Sequence, residues 1–281
     1  MSLEKALPWS YKSLDFKGYS IAGQTTSVVF NNAKICFDIA QGLPFHMNSQ
    51  LYCITHLHAD HGSGLNYLLS QRSLFNLPQA NIMLPQVHLE KVQTILKTWM
   101  EIEGFEYKYN LIPSYDGALY QLNNQYAVRS FPTTHRIASF GYIVYECKKK
   151  LKPEFQNLER QEILDLKSKD TDIHETLLDP IIAFTGDTQI EFLGAHPDIK
   201  KAKVLFVECT YLDEKRSVER AREWGHTHLD EITPHLNELE NEHISLIHLS
   251  ARYSTPEAVR ILKKKLNEEQ FKRVSIFPRP F

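Results

Sequence analysis

Residues 55–62, THLHADHG, bring three imidazoles and one carboxylate close together directly after an apolar stretch. In an extended chain His56 and His58 point to the same side, because alternate side chains of a strand share a face. Asp60 and His61 follow at a turn into a helix and face a second point. Neutral imidazole and carboxylate are ligands that suit zinc and related divalent ions. The spacing therefore predicts that one short peptide serves two adjacent metal ions.

This motif resembles that of the metallo-β-lactamase superfamily, whose α/β fold is a four-layer αββα sandwich of two similar halves. Further motifs resemble, in the family's order, those of the ribonuclease Z branch. They are PTTHR at 132–136, SFGY at 139–142, FTGDT at 184–188, VECT at 207–210, GHTH at 225–228 and HLSARY at 248–253. Each later motif is weak alone, but together they indicate this branch over nearly the whole chain.

The resemblance implies a pair of divalent metal ions. One ion would be held by His56, His58 and His135, the other by Asp60, His61 and His248, and both by Asp187. Each of these residues lies at or just after the end of a predicted strand, and strand ends at one sheet edge can converge. Zinc is the expected metal, and manganese or iron accepts the same ligands. Such a pair activates a hydroxide and stabilises both oxygens of an in-line displacement.

The resemblance also implies an acid that assists the leaving 3′-oxygen. His226 would donate this proton, and Glu208 would orient its imidazole and favour the protonated form. Asp60 would help to hold and orient the attacking hydroxide. His228 is a rival for the donor, because the family pattern has a small hydroxyl residue at that position.

Three further side chains are candidates for contact with the substrate: Arg252, His228 and His46. Arg252 would meet a phosphate through its two-pronged guanidinium, or it serves a structural role. His46 lies in a loop that would line the cleft. Asp38, at the end of an early predicted strand, would support a ligand histidine or simply close a turn.

Each half of the chain shows short predicted strands followed by predicted helices. This order predicts a layered α/β architecture that would position these residues. The predicted strands span residues 19–22, 26–30, 34–38, 51–55, 106–112, 125–131, 139–146, 180–185, 203–208 and 244–248. The predicted helices span 64–71, 86–103, 217–224, 229–239 and 255–268. We expect one metallo-β-lactamase-fold domain over residues 1–281.

Residues 148–175 form a charged insertion, predicted to be an arm or a helical hairpin. This segment carries seven basic and seven acidic side chains, and only residues 148–152 form a cationic cluster. The Gly-Pro tip typical of the arm in tRNA-trimming members is missing. Because phosphate affinity depends on cations placed on phosphates, the segment is a weak candidate for gripping RNA.

Two functional hypotheses follow from these patterns. The first is a metal-dependent endoribonuclease that trims pre-tRNA 3′ ends, with the homodimer that the resemblance implies. The second is a hydrolase of the same fold that acts on a smaller phosphodiester, a cyclic nucleotide, an ester or a lactone. A non-catalytic scaffold is disfavoured, because a scaffold has no need of a complete set of metal ligands.

Composition limits the remaining classes. The chain has 281 residues, with 32 Lys and Arg against 34 Asp and Glu, so a strongly basic nucleic-acid binder is excluded by its global charge. No apolar run approaches the ~18 residues of a membrane helix. The first residues show no apolar signal core, so the cytoplasm is the expected compartment. The four cysteines form no CxxC pair and are expected to be reduced thiols of the core.

Overall fold

The computed structural model describes residues 5–169 and 171–279. The first half of these residues contains β1 (Leu7–Tyr11), β2 (Leu14–Ile21), β3 (Thr25–Phe30), β4 (Ile35–Phe37), β5 (Leu51–Cys53), α1 (Ala59–Gly62), α2 (Leu65–Leu74), β6 (Ala80–Pro85), α3 (Leu89–Glu103) and β7 (Tyr109–Ser114). The second half contains β8 (Leu119–Gln121), β9 (Tyr126–Pro132), β10 (Phe140–Leu151), α4 (Arg160–Ser168), β11 (His174–Phe184), α5 (Pro197–Lys201), β12 (Val204–Glu208), α6 (Val218–Glu223), α7 (Leu229–Ile232), β13 (His243–Ile247), α8 (Thr255–Lys265), α9 (Glu268–Arg273) and β14 (Val274–Ile276).

The two halves build two seven-stranded sheets with the same pattern of pairing. In the first sheet, strands β1 to β4 pair antiparallel and β4 to β7 pair parallel, in the order of the chain. In the second, β8 to β11 pair antiparallel and β11 to β14 pair parallel. The carboxyl ends of the parallel strands in each sheet therefore lie at one edge, where connecting loops can meet.

Apolar side chains fill three layers of core. One layer joins the two sheets and contains the stacked rings of Phe37 and Phe184, whose centroids are 4.7 Å apart. A second layer lies between the first sheet and helices α2 and α3, and a third lies under the helices of the second half. The predicted αββα sandwich is confirmed. Among the described residues, none of the helices is both long and apolar enough to cross a membrane.

Each predicted strand overlaps an observed one, but sequence patterns give no signal for β1, β6, β8 and β14. Strand β1 contains Pro8, which is tolerated because this strand lies at the edge of its sheet. Strand β6 is largely buried and so shows no alternation of polar and apolar residues. Strands β8 and β14 have three residues each, too few to establish a period.

Two predicted helices are shorter than expected. The helix predicted over 229–239 ends at Ile232, and a 3₁₀ turn follows from Thr233 to His235. Pro234 in this turn has no N–H to continue the helix. The helix predicted over 255–268 is divided at Leu266, which is extended, and α9 begins anew behind its cap Asn267.

The insertion over residues 148–175 is a paired ribbon with one helix at its tip. Strands β10 and β11 pair antiparallel as far as Leu151 and His174, and a 3₁₀ turn and α4 lie between them. The helical-hairpin alternative is therefore wrong, because the strand ladder continues into the segment and satisfies its backbone groups. Asp170 of this segment, and the predicted domain limits at 1 and 281, lie outside the described residues.

Candidate metal centre

The predicted metal ligands follow strands at the shared edge of the two sheets. Strand β5 leads into His56 and His58, and the short helix α1 carries Asp60 and His61. The remaining three come from the second half and follow β9, β11 and β13, namely His135, Asp187 and His248. The fold thus brings together residues that are widely separated in the chain.

The first cluster joins three imidazoles and one carboxylate. The Nδ1 of His58 lies 3.0 Å from the Nε2 of His56 and 3.1 Å from the Nε2 of His135. The Oδ2 of Asp187 lies 3.7 Å from the Nε2 of His56 and 4.0 Å from that of His135. One atom of each residue falls within 4.8 Å of the others, a spacing that a single cation can bridge.

The second cluster joins Asp60, His61 and His248. The Oδ2 of Asp60 lies 3.5 Å from the Nε2 of His61 and 3.4 Å from the Nε2 of His248. The carboxylate of Asp187 reaches this cluster as well, with Oδ1 3.3 Å from the Nε2 of His61 and Oδ2 3.3 Å from that of His248. Asp187 therefore lies between the clusters, where a residue that bridges two cations must lie.

Asp38 supports this centre from beneath. Its carboxylate is fully buried and lies 2.7 Å from the Nδ1 of His61. It also accepts hydrogen bonds from the backbone N–H and the hydroxyl of Thr55. The same hydroxyl lies 3.0 Å from the Nδ1 of His56. Of the two roles left open for Asp38, the structure therefore favours support of an imidazole over a simple turn.

Two imidazoles of the second half are held by neutral groups. The Nδ1 of His135 donates to the carbonyl of Gly225 over 2.8 Å, and the Nδ1 of His248 lies 3.1 Å from the hydroxyl of Thr210. Gly225 has φ +77°, and a Cβ there would lie 2.7 Å from His135 Nδ1. A glycine is therefore required for this close approach. Sequence reasoning missed Thr55, Thr210 and Gly225, whose only signal is their place beside predicted ligands.

The donor set fits a pair of divalent cations. Burial lowers the pKa of His56 and His135, which keeps these imidazoles neutral, as metal ligands must be. Burial raises the pKa of Asp187, but the surrounding imidazoles hold it well below its usual value, so the carboxylate is ionised. The Nε2 of His61 and the Oδ1 of Asp187 lie 3.3 Å apart without forming a hydrogen bond, and both are buried with no other hydrogen-bond partner among the described residues. Bound cations would satisfy both atoms.

Glu208 and His226 form a close pair at the rim of this centre. The Nδ1 of His226 lies 2.8 Å from the Oε1 of the fully buried Glu208. Backbone N–H groups of Thr188 and Thr210 also donate to the Glu208 carboxylate. Burial lowers the pKa of His226, but Glu208 outweighs burial and raises it to about 9. The imidazole ring of His226 lies 5.3 Å from that of His135, so a protonated donor adjoins the clusters.

The rival donor His228 does not face the clusters. Its Nδ1 caps helix α7 by accepting from the N–H of Asp230, and its Nε2 lies 3.1 Å from the carbonyl of Asp213. Both ring nitrogens are thus used, and the side chain is buried. The structure therefore brings His226, and not His228, beside the predicted ligands, and it gives His228 no surface for substrate.

The predictions for His46 and Arg252 meet different outcomes. His46 is fully buried, with its Nδ1 2.8 Å from the Ser27 hydroxyl, so its predicted place in the cleft is wrong. The reason is that its loop packs on the first sheet, where Tyr52 of β5 donates its hydroxyl to the His46 carbonyl and lies edge-to-face with the His46 ring. Arg252 is exposed and lines a small cavity with Lys215 and Arg216. Its contact with a substrate phosphate stays a prediction.

A cavity of about 830 Å³ opens beside His135. Val87, Tyr115, Ile137 and Ala138 are among the side chains that line it. Sequence reasoning missed this cavity because its walls come from segments that no motif connects. Its size and mixed lining suit a nucleotide or another small organic group.

Comparisons with known proteins place the chain among related sequences and folds. It is 35% identical over 257 residues to tRNase Z TRZ1 of Arabidopsis thaliana, covering 91% of this chain and 92% of the relative. It is 26% identical over 245 residues to ribonuclease Z of Sulfolobus acidocaldarius, covering 80% and 78%. Human tRNase Z, short form, has a similar structure with a TM-score of 0.61 and 20% identity, covering 94% and 95%. No family model matches the chain.

Proposed function

Because the chain belongs to the ribonuclease Z family, we propose that it is a metal-dependent endoribonuclease that trims the 3′ ends of pre-tRNA. The observation that carries the proposal is the convergence of the predicted ligands on two clusters that share Asp187. A phosphodiester of RNA is a substrate that such a paired-cation centre suits.

We propose that the two clusters hold two zinc ions, with manganese or iron as alternatives. One would be held by His56, His58 and His135, the other by Asp60, His61 and His248, and both by Asp187. When bound, the cations would lower the pKa of a water molecule and stabilise charge on the reacting phosphate. The ionised carboxylate of Asp187 and the neutral imidazoles of His56 and His135 support this assignment.

Asp60 has a second role in this proposal, which is to orient the attacking water. Burial alone would raise the pKa of Asp60. Hydrogen bonds with His248 and His61 lower this pKa by more than burial raises it, so Asp60 is ionised. Its Oδ2 accepts a hydrogen bond from the backbone N–H of Gly23 over 2.9 Å. This fixed carboxylate can accept a hydrogen bond from a water molecule and so direct a lone pair of the water oxygen toward the phosphorus.

His226 supplies the proton for the leaving 3′-oxygen. With its pKa at about 9, the imidazole is protonated near neutral pH. Glu208 holds the Nδ1 proton, which leaves the Nε2 proton available for transfer. Glu208 itself accepts hydrogen bonds from the backbone N–H groups of Thr188 and Thr210, and so holds the imidazole in one orientation.

We further propose a homodimer that acts in the cytoplasm. Helices α2 and α3 expose large apolar side chains on the outside of the first sheet, among them Leu74, Ile95, Trp99 and Ile102. Such a patch favours burial against a second copy. The cysteines at 36, 53, 147 and 209 are unpaired, which fits a reducing compartment. Light scattering on the purified protein tests the oligomeric state.

The decisive experiment is incubation of the purified protein with a pre-tRNA that carries a 3′ trailer, in the presence of zinc or manganese. The expected result is one cut that releases the trailer and leaves a 3′-hydroxyl on the tRNA. Metal analysis of protein purified without added ions identifies the bound cations. His135→Ala should lose the cut, whereas Lys12→Gln, an exposed charge change in the turn after β1, should keep it.

The same assay distinguishes between the two functional hypotheses that the sequence suggests. Hydrolysis of bis-p-nitrophenyl phosphate, a cyclic nucleotide or a lactone, without cleavage of pre-tRNA, would reject the RNA substrate and leave a hydrolase of smaller esters. Inertness toward all of these substrates with two metal ions bound would reject catalysis.

A further inference from the structure

Arg136 and Trp224 form an exposed cationic and aromatic pair at the edge of the candidate metal centre. The guanidinium carbon of Arg136 lies 5.0 Å from the centroid of the Trp224 ring, a distance typical of a cation–π contact. Arg220 contacts the same ring at 5.2 Å. All three side chains are exposed, so the pair is accessible to a large substrate.

The backbone fixes this pair directly beside the predicted chemistry. Arg136 follows His135, and Trp224 lies two residues before His226. Gly225 joins them, because a Cβ there would lie 3.2 Å from the Cγ of Arg136 as well as 2.7 Å from His135 Nδ1. The stem of Arg136 thus packs on the same glycine that accepts the hydrogen bond of His135.

The positive charge of the pair rests on Arg136. Arg220 forms an ion pair with Glu223, and so its charge is locally compensated. Among the described residues, Arg136 has no carboxylate partner within ion-pair distance, and its guanidinium is always charged. The ring of Trp224 holds this guanidinium in place, which reduces the entropy lost when it binds an anion.

We propose that Arg136, held by Trp224, binds the RNA phosphate on the 5′ side of the scissile bond. This inference rests on the proposed function. The oxygen that His226 protonates belongs to the nucleotide on the 5′ side, and the pair adjoins His226 through Gly225. A guanidinium at that place contacts the phosphate backbone of the RNA that keeps the 3′-hydroxyl. This contact fixes the position of the leaving oxygen relative to His226.

The first test measures cleavage of trailer-bearing pre-tRNA by the metal-loaded full-length protein. Arg136→Gln should raise KM by about 10-fold with a much smaller change in kcat, because one charged contact with bound RNA is lost. The slope of log KM against log salt should fall by about 0.7 to 1, as expected for one phosphate contact. Trp224→Leu should shift KM in the same direction by less, and Trp224→Tyr should recover most of the loss.

Lys12→Gln is the matched control, since it removes one exposed cation that also lies over an aromatic ring, here at 5.5 Å. It should leave KM and the salt slope at wild-type values. Circular dichroism and metal content verify that each variant is folded and loaded. An unchanged KM and salt slope in a folded Arg136→Gln variant would overturn the inference.

The second test identifies which phosphate Arg136 contacts. A pre-tRNA with one neutral methylphosphonate on the 5′ side of the scissile bond should bind the wild type more weakly. The same substitution should cost Arg136→Gln nothing further, because the contact is already lost. A methylphosphonate on the 3′ side should weaken both proteins equally. Non-additivity on the 3′ side instead would overturn the assignment.

The two levels of proposal fail in different ways. If wild-type protein does not cleave pre-tRNA, the proposed function fails and this inference fails with it. If wild-type protein cleaves pre-tRNA and the Arg136 variants match it in KM and salt dependence, only the inference fails.

Discussion

The two halves of the molecule repeat one strand pattern but supply the candidate metal centre in different ways. The first half contributes four predicted ligands from one segment, residues 56–61, directly after β5. The second half contributes His135, Asp187 and His248 singly, after β9, β11 and β13. A compact segment fixes its side chains through local geometry, whereas scattered side chains depend on the pairing of whole strands. The second half should therefore be the more sensitive to any single change.

Asp187→Asn should produce the largest loss, because the Asp187 carboxylate lies 3.7 Å from His56 Nε2 of the first cluster and 3.3 Å from His61 Nε2 of the second. We expect both cations to be lost and cleavage to fall by about three orders of magnitude or more. His58→Ala, in the first half, belongs to one cluster and should retain close to one cation per chain. Elemental analysis and single-turnover cleavage measure these effects.

Asp179→Asn is the control for this comparison, since it removes a half-buried carboxylate from the same strand β11, outside both clusters. It should keep both cations. Retention of two cations by Asp187→Asn would show that neither cation depends on the Asp187 carboxylate.

His226→Ala should give the next largest effect, a fall in kcat of about 10²- to 10⁴-fold, since the leaving oxygen loses its acid. The acid acts in its protonated form. With the pKa raised to about 9, kcat should hold near neutral pH and fall as the pH rises above about 9. In Glu208→Gln the imidazole loses the carboxylate that raises its pKa, so this fall should begin at a lower pH.

A pH–rate profile of wild type and Glu208→Gln under saturating RNA measures the shift. An identical alkaline limb in both proteins would mean that His226 is not the titrating acid. In that case the second half would contribute metal ligands to the centre but no acid.

The same contrast explains how far the sequence predicts this protein. The first-half ligands are adjacent in the chain, so their types and spacing predict a metal site before any fold is known. Those of the second half are single residues, and only the resemblance to a family suggests their partners. Local patterns also suggest His46 and His228 as substrate contacts, but burial decides their roles, and burial depends on tertiary packing. The pair of Arg136 and Trp224 joins two segments that are far apart in the chain, which no local pattern predicts.

Asp38→Asn should reduce metal affinity or cleavage by about 10- to 100-fold, because the carboxylate that orients His61 becomes a neutral amide. The corresponding contact in the second half is the Thr210 hydroxyl beside His248. Thr210→Val removes only a neutral partner and should cost less. Competition with a chelating dye compares the two variants. A larger loss of metal affinity in Thr210→Val than in Asp38→Asn would show that the Thr210 hydroxyl contributes more to metal binding than the Asp38 carboxylate.

The smallest expected effect concerns His46, a buried residue of the first half outside the metal clusters. Burial lowers its pKa to about 3, whereas an unfolded histidine titrates near 6.5. Below about pH 6.5 the unfolded chain therefore binds a proton that the folded chain refuses, and stability is lost as the pH falls toward 3. At pH 5 the loss from this one group is about 2 kcal/mol. His46→Gln keeps a partner for Ser27 and removes the titration, so its free energy of unfolding should fall less between pH 7.5 and 5. Urea unfolding at the two pH values measures the difference. An equal fall in both proteins would show that acid sensitivity arises from the clustered imidazoles, and hence from the halves together.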